Sequence, residues 1–312
     1  MTTPAVSVLI AAYNVTRYIP ETLDSLRAQD FTNFEAILVN DGCPDTENLE
    51  RVLEPYRHWI VYIQQKNGGP SAARNTALQA ARAPLVALLD GDDRWMPDYL
   101  SCQLQVFERD PTVDLVYPNM RCVGEGPLNG HLLMNHTISQ GEANFESLAR
   151  QSCTVLNGVT MRREKAIQAG LWDTAIRHSE DFDLWLRIAY HGGRIVYHRK
   201  PLVLYRLRED SLSADPTAMY TGQLYVYEKA LRTLSLTPAR RQIVEQMILK
   251  TKALHALEMG RRSFQKGDYE QARQQLMEAN AVLRRPKLSL LLAALRVSPA
   301  AVNAFARLRS RF

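Results

Sequence analysis

Val6-Ser7-Val8-Leu9-Ile10-Ala11 is a nearly unbroken apolar run, the mark of a strand covered on both faces. Ile19, Leu23 and Leu26 follow at i, i+4 and i+7, one face of a helix. The alternation returns as strand 36–39, a helix around Leu49 to Tyr56, and strand 59–63. It returns again as a helix from Ser71 to Ala81 and strand 85–89. Strands recurring about every 25–30 residues with helices between predict right-handed βαβ units, hence a Rossmann-like, mostly parallel sheet with flanking helices. Ligands of such sheets bind beyond the carboxyl ends of the strands. That directs attention to Tyr13-Asn14, Asn40-Asp41-Gly42, Asn67-Gly68-Gly69 and Asp90-Gly91-Asp92-Asp93.

The rhythm breaks between about 112 and 160. Val113 to Tyr117 adds one strand, and a Gly-, Asn- and His-containing stretch after it reads as loop. A helix over 180–190 places Phe182, Trp185, Leu186 and Ala189 on one face, and 195–197 and 202–205 read as two short strands. Beyond Asp215-Pro216 the pattern is almost entirely helical. The expected organisation is an α/β domain over 1–215 and an all-α region over 216–312.

Composition fits an ordinary soluble globular protein, with 46% hydrophobic and 23% charged residues, which excludes disorder and collagen-like or disulfide scaffolds as whole-chain readings. Met1 to Ala5 carries no basic n-region and reads as no secretory signal. Leu288 to Leu295, the longest apolar run, falls short of the ~20 residues a spanning helix needs. Cys43, Cys102, Cys122 and Cys153 form neither a CxxC pair nor a zinc spacing, so they read as reduced thiols of a cytoplasmic protein.

Three carboxylates in Asp90-Gly91-Asp92-Asp93 repel one another at the end of an apolar strand. Hard oxygen ligands on such a loop suit Mg²⁺ or Mn²⁺, and an ion held by one or two carboxylates keeps positions open for phosphate oxygens. A solvated acidic turn is the plainer alternative. In Asn67 to Asn75 two glycines, Pro70 and small residues open a helix with Arg74 near its start, an arrangement that can accept a diphosphate. No GxxxxGK[ST] or GxGxxG occurs, which excludes a P-loop or an ordinary dinucleotide site. Ser179 reads as the N-cap of the 180–190 helix. Glu180 and Asp181 in its first turn are favoured by the helix dipole, which also keeps a carboxylate ionised as a general base must be. Arg206 and Arg208 sit on a strand-to-loop segment where either could meet an anion or pair with a carboxylate. The histidines show no metal spacing.

Taken in order, VSVLIAAYN, VNDG, NGGPSAARN, LLDGDD, SEDFDLWLR and LYRLREDSLS resemble the family-2 glycosyltransferases with a GT-A fold, over about residues 5–213. The resemblance implies inverting sugar transfer from a nucleotide diphosphate donor, most simply a UDP-sugar, to a hydroxyl of a glycan or lipid-linked acceptor. It implies surface polysaccharide or glycoconjugate assembly, with Mn²⁺ or Mg²⁺ as cofactor. Carried over by motif, Ala11, Ala12, Tyr13, Asn14 and Asp41 would hold the nucleobase. Gly69, Arg74 and Asn75 would line the ribose and diphosphate. Asp90 and Asp92 match the DxD pair, with Asp92 as direct metal ligand, Asp90 nearer the ribose beside Gly91, and Asp93 able to help. Asp181 matches the catalytic base and Glu180 a positioning acid. One departure stands out: many members carry His in the YRxHxxS block, where this chain has Arg208, which cannot ligate a metal but can face a diphosphate as a fixed cation.

Acceptor choice is expected in 118–160 and in Asn157 to Arg163. Trp95 and Trp172 could stack on a sugar, although core is the stronger reading of both. Two other function classes compete. A sugar-phosphate nucleotidyltransferase would carry a glycine-rich basic loop after its first strand, which Ala11-Ala12-Tyr13-Asn14 is not. A non-catalytic scaffold would not need the DGDD and ED blocks.

Within 216–312, Gly260, Phe264, Gly267, Tyr269, Ala272, Leu276 and Ala279 resemble one tetratricopeptide-type hairpin. The net charge of +5 divides unevenly. Residues 1–215 carry 21 basic and 27 acidic residues and the remainder 17 and 6, or −6 and +11. The acidic part argues against general nucleic-acid binding. No acid follows Glu278, whereas Arg284, Arg285, Lys287, Arg296, Arg307, Arg309 and Arg311 interleave with Leu288 to Leu295 and Phe305. Such a segment fits a peripheral helix at the inner membrane face, or a partner surface.

Overall fold

Near-continuous apolar runs give the first strands a place only where both sheet faces are covered, and the computed structural model puts them there. It describes residues 3–137, 139 and 142–297, which divide into two compact units, Met1–Ser211 and Leu212–Phe312.

In the first unit the α/β repeat runs β1 (Val6–Ala12), α1 (Ile19–Arg27), β2 (Phe34–Asp41), α2 (Thr46–Leu53), β3 (Ile60–Gln65), α3 (Pro70–Ala80) and β4 (Leu85–Asp90). There follow β5 (Arg94–Trp95), α4 (Tyr99–Arg109), β6 (Leu115–Gly124), α5 (Phe145–Ala149), β7 (Thr160–Arg162), α6 (Arg163–Gln168), α7 (Glu180–Tyr190) and β8 (Ile195–Leu207). One eight-stranded mixed sheet results, in the order β3-β2-β1-β4-β7-β6-β8-β5. The strands β1 to β4 pair in parallel, whereas β7 runs antiparallel to both β4 and β6. Val6, Val8, Ile10, Ile37, Leu38, Val86 and Ala87 are fully buried, and Ile19, Leu23 and Leu26 of α1 cover the sheet.

Two expectations change. The stretch after Tyr117 is not all loop: β6 runs on to Gly124, and Asn144 caps α5 through a reciprocal capping box with Ser147. The two short strands near 200 are one strand, β8, whose parallel pairing with β6 slips twice between Pro118 and Met120. Polar His198 to Lys200 and the donor-less Pro201 interrupt the apolar pattern there, so the strand continues through an irregularity rather than ending.

The turns at the strand ends depend on glycines. A Cβ on Gly42, at φ +67°, would lie 2.7 Å from the Asn67 backbone nitrogen. One on Gly91 would meet Val15 Cγ2 at 2.9 Å and the Ala11 carbonyl at 3.0 Å. Gly91 thereby lets the acidic loop lie directly on the end of β1.

The second unit holds α8 (Pro216–Thr233), α9 (Pro238–Lys266), α10 (Tyr269–Leu283) and α11 (Pro286–Val297). Asp215, Thr237 and Asp268 cap α8, α9 and α10, and Gly267 closes α9 in the left-handed conformation. The helices α9 and α10 form a hairpin in which Gly260 packs against Leu276. Leu288, Leu292 and Leu295 of α11 complete its core with Leu257, Leu276 and Ala279. No described helix is long and apolar enough to cross a membrane. Phe305, Arg307, Arg309 and Arg311 lie outside the described residues, as does the side chain of Arg296.

Replacing Gly91 by Ala should cost ~1–3 kcal/mol through overpacking, read as a lower urea midpoint. An unchanged midpoint would mean that the loop yields freely.

Candidate active site

The carboxyl ends of β1, β2 and β4 bring the expected residues to one edge of the sheet. Ala12 is wholly buried and offers only backbone, whereas Tyr13 is 48% exposed. Asn14 takes a left-handed φ of 54°. Its N–H donates to Cys43 Sγ at 3.3 Å and its carbonyl accepts from Arg208 at 3.4 Å. Asp41 builds the neighbouring loop: its carboxylate accepts from the Gly68 and Gly69 amides at 2.9 and 2.8 Å and from Gln65 Nε2 at 2.7 Å. Gly69, at φ +85°, hands the chain to Pro70, the first residue of α3.

One turn into α3, Arg74 is buried and meets three carboxylates. Nη1 lies 2.7 Å from Glu180 and 3.2 Å from Asp181, and Nη2 lies 2.9 Å from Asp90. Their charges hold its guanidinium well above the ordinary arginine range against the opposing effect of burial. Asp181 also accepts from Trp172 Nε1 at 2.9 Å. Desolvation pushes its carboxyl up to about 7, against the lowering effect of Arg74 and with Glu180 and Asp90 adding to the rise. The helix dipole does not keep it at an ordinary carboxylate value, because desolvation is the larger effect. Ser179 occupies the N-cap in the left-handed conformation and makes no side-chain cap.

Asn75 is engaged by the chain that follows α6. Its amide closes a reciprocal pair with the Trp172 backbone, at 2.8 and 3.0 Å, which fixes the indole that reaches Asp181. Trp172 is itself 2% exposed and packs edge-on against Trp185. Trp95 is 3% exposed and stacks on Tyr99 at 3.7 Å. Both are core residues. Asn157, which opens the stretch expected to govern acceptor choice, donates from Nδ2 to Asp90, while its buried Oδ1 finds no donor among the described residues. Nothing in its neighbours marks it, since it reaches Asp90 across 67 residues of chain.

The acidic loop is balanced by arginines. Asp93 is buried, accepts from the Arg206 N–H at 2.8 Å, and is driven well up by burial and by its neighbours Asp92 and Asp90. Burial and Asp90 also raise Asp92, against Arg208. Arg206 Nε donates to the Asp92 carbonyl and Nη2 reaches Glu21, both at 2.8 Å. Arg208 Nη1 bridges Asp92 Oδ2 at 2.8 Å. Tyr18 lies under both guanidiniums, at 4.4 and 5.2 Å.

No cluster of three or more metal-type ligands occurs among the described residues. Both oxygens of Asp90 are engaged, by Arg74 and by Asn157, and Asp92 Oδ2 by Arg208. Asp92 Oδ1 remains. One hard carboxylate oxygen suits an ion that keeps waters and binds phosphate oxygens, so the donor set fits a divalent ion shared with a diphosphate.

The family described as "Glycosyl transferase family 2" matches residues 7–170, from β1 to the end of α6. The chain belongs to that family. A putative glycosyltransferase of Bacillus subtilis, EpsH, is 30% identical over 68% of this chain and 63% of its own length, so the match leaves over a third of that relative uncovered. The putative teichuronic acid biosynthesis glycosyltransferase TuaG of the same organism is 27% identical over 73% of this chain and 89% of its own. Among solved structures, S. aureus TarS residues 1–349 in complex with UDP-GlcNAc superpose with a TM-score of 0.65 at 21% identity, over 93% of this chain and 87% of that one. The mannosyltransferase PcManGT of Pyrobaculum calidifontis, in complex with GDP-Man and Mn²⁺, gives 0.62 at 21%, over 99% and 85%. At such identities the structures share the fold with this family-2 chain, the GT-A arrangement of sheet and helices.

Replacing Arg74 by Met strands three carboxylates, and should cost ~3–5 kcal/mol in unfolding free energy. Arg74→Lys should recover only part, because an ammonium cannot face three partners in one plane. Denaturation midpoints check both. A Lys variant as stable as the parent would show that charge alone suffices.

Proposed function

We propose that this chain transfers a sugar, with inversion, from a nucleotide diphosphate donor to a hydroxyl of a glycan or lipid-linked acceptor. The observation that carries the reading is Asp181. Its carboxyl is pushed up to about 7 by desolvation, is aimed by Trp172, and is joined through Arg74 to Asp90 of the acidic loop. A base poised near working pH stands beside the group that would hold the donor. A UDP-sugar is the favoured donor, supported by TarS structures with UDP and UDP-GlcNAc. Surface polysaccharide or glycoconjugate assembly is supported by TuaG.

In this reading Tyr13, the backbone of Ala11 to Asn14, and Asp41 frame the nucleobase. Gly69 and the start of α3 face the diphosphate. Asn157 and Arg74 hold Asp90, and Asn75 acts through Trp172. The acceptor oxygen attacks the anomeric carbon as its proton passes to Asp181. The bond from that carbon to the diphosphate oxygen breaks, its electron pair leaving with the nucleoside diphosphate. Attack opposite to departure inverts the centre. Asp92 would hold Mn²⁺ or Mg²⁺ together with the diphosphate, and the ion would supply charge to the leaving group. Glu180 keeps Arg74 in register with Asp181.

Nucleoside diphosphate release, screened over UDP- and GDP-sugars with Mn²⁺ or Mg²⁺, tests the reading; pyrophosphate release instead would mark a nucleotidyltransferase. Asp181 must be deprotonated to accept a proton, so kcat/KM should rise with pH to a plateau above about 7 and fall roughly tenfold per unit below it. Asp181→Asn should lower turnover ~10²–10⁴-fold with donor affinity nearly intact. Unchanged turnover removes Asp181 from the mechanism.

We also place the chain on the cytoplasmic side, with the basic segment after Glu278 against anionic lipid. Arg284, Arg285 and Lys287 stand at the start of α11 beside the exposed Leu290, and cationic residues next to exposed apolar surface favour that face. The full chain should float with anionic liposomes at low salt and be released by high salt. Absence from the low-salt float fraction rejects the membrane contact.

A further inference from the structure

Arg208 is held more firmly than a loop arginine waiting for a ligand would be. Nε and Nη2 form a two-point bridge to Asp210 at 2.8 and 2.9 Å, Nη2 also reaches the Asn14 carbonyl, and Nη1 meets Asp92. Its side chain is 8% exposed, over the ring of Tyr18. A guanidinium has five N–H donors. These contacts use four, which leaves one N–H on Nη1, the nitrogen already at Asp92, without an acceptor among the described residues. A cation fixed at the loop that would hold the metal does two opposed things. It repels a divalent ion approaching Asp92, and it offers a preset donor to a diphosphate oxygen.

We propose that Arg208 is a built-in cation of the donor site, which shares the Asp92 charge with the divalent ion and carries part of the diphosphate's charge itself. The inference rests on the donor-site reading above. The protein should accordingly bind Mn²⁺ weakly when no nucleotide is present, and hold a nucleoside diphosphate to a measurable extent with no metal at all. Arg74 and Arg206 are placed differently: neither bonds the Asp92 carboxylate, the first bridging Asp90, Glu180 and Asp181 and the second Glu21 and the Asp92 carbonyl.

The test compares the full chain with Arg208→Gln and Arg208→Lys. Mn²⁺ alone is titrated by the EPR signal of the free ion, and UDP and GDP are titrated calorimetrically in EDTA and in Mn²⁺. Loss of one charge-assisted contact corresponds to about tenfold or more. Arg208→Gln should bind Mn²⁺ about tenfold more tightly than the parent, and its nucleotide affinity in EDTA should fall by at least the same factor. Arg208→Lys should stay near the parent in both, which separates loss of charge from damage to the fold. Equal Mn²⁺ affinity in the parent and Arg208→Gln, or a parent whose nucleotide binding depends on Mn²⁺ as fully as that of Arg208→Gln, overturns the role of Arg208. Failure of both nucleotides to bind the parent even with Mn²⁺ overturns the donor-site reading beneath it.

Discussion

The guanidinium of Arg74 ties the start of α3, the end of β4 and the first turn of α7 into one object, through Asp90, Glu180 and Asp181. Buried carboxylates repel one another and are costly to desolvate, so these three can approach only around a shared cation. The remaining supports serve the same geometry. The Asn75 amide pins the Trp172 backbone, the indole orients Asp181, and Asn157 holds the far oxygen of Asp90. Under the proposed reaction, donor-side and base-side groups keep a fixed separation because one side chain spans them, and loop closure is not required to assemble them. Such fixed geometry is what proximity catalysis asks of a protein.

The same balance has a chemical consequence. Arg74 favours the ionised form of Asp181, while burial, Glu180 and Asp90 oppose it. Had desolvation acted alone, the group would rise beyond usefulness as a base at neutral pH; had the cation acted alone, it would be too weakly basic to draw a proton. The near-neutral value emerges from the opposition of burial and Arg74, and under the proposed reaction it suits a general base.

Much of this was legible in the sequence. Unbroken apolar runs and period-3.6 patterning located β1 to β4 and their helices, because strands covered on both faces carry near-continuous apolar residues. The polar residues at those strand ends were accordingly found at one edge. Three things were not legible. Asn157 and Trp172 act through contacts made across long stretches of chain, and neither has a local signature. The sign of the Asp181 perturbation depends on how deeply α7 is packed, which its helix-start position does not reveal. The continuity of β8 through Pro201 depends on its partner β6, since a strand interrupted by proline persists only when a neighbour tolerates the slip.

The charge distribution gains a more specific meaning from the acidic loop. Residues 1–215 are net acidic by six, yet Asp90 is met by the guanidinium of Arg74 and Asp92 by that of Arg208, while Asp93 accepts the Arg206 backbone N–H. Under the proposed function, an anionic donor approaching this edge would not face two bare carboxylates at Asp90 and Asp92. It would meet Asp90 and Asp92 already paired with guanidiniums that those acids hold in place. Negative residues here fix the positions of positive ones, and an arginine so fixed loses little rotamer freedom on meeting a phosphate. A net-negative unit can in this way present a preorganised anion site without the broad positive surface that would also attract nucleic acid.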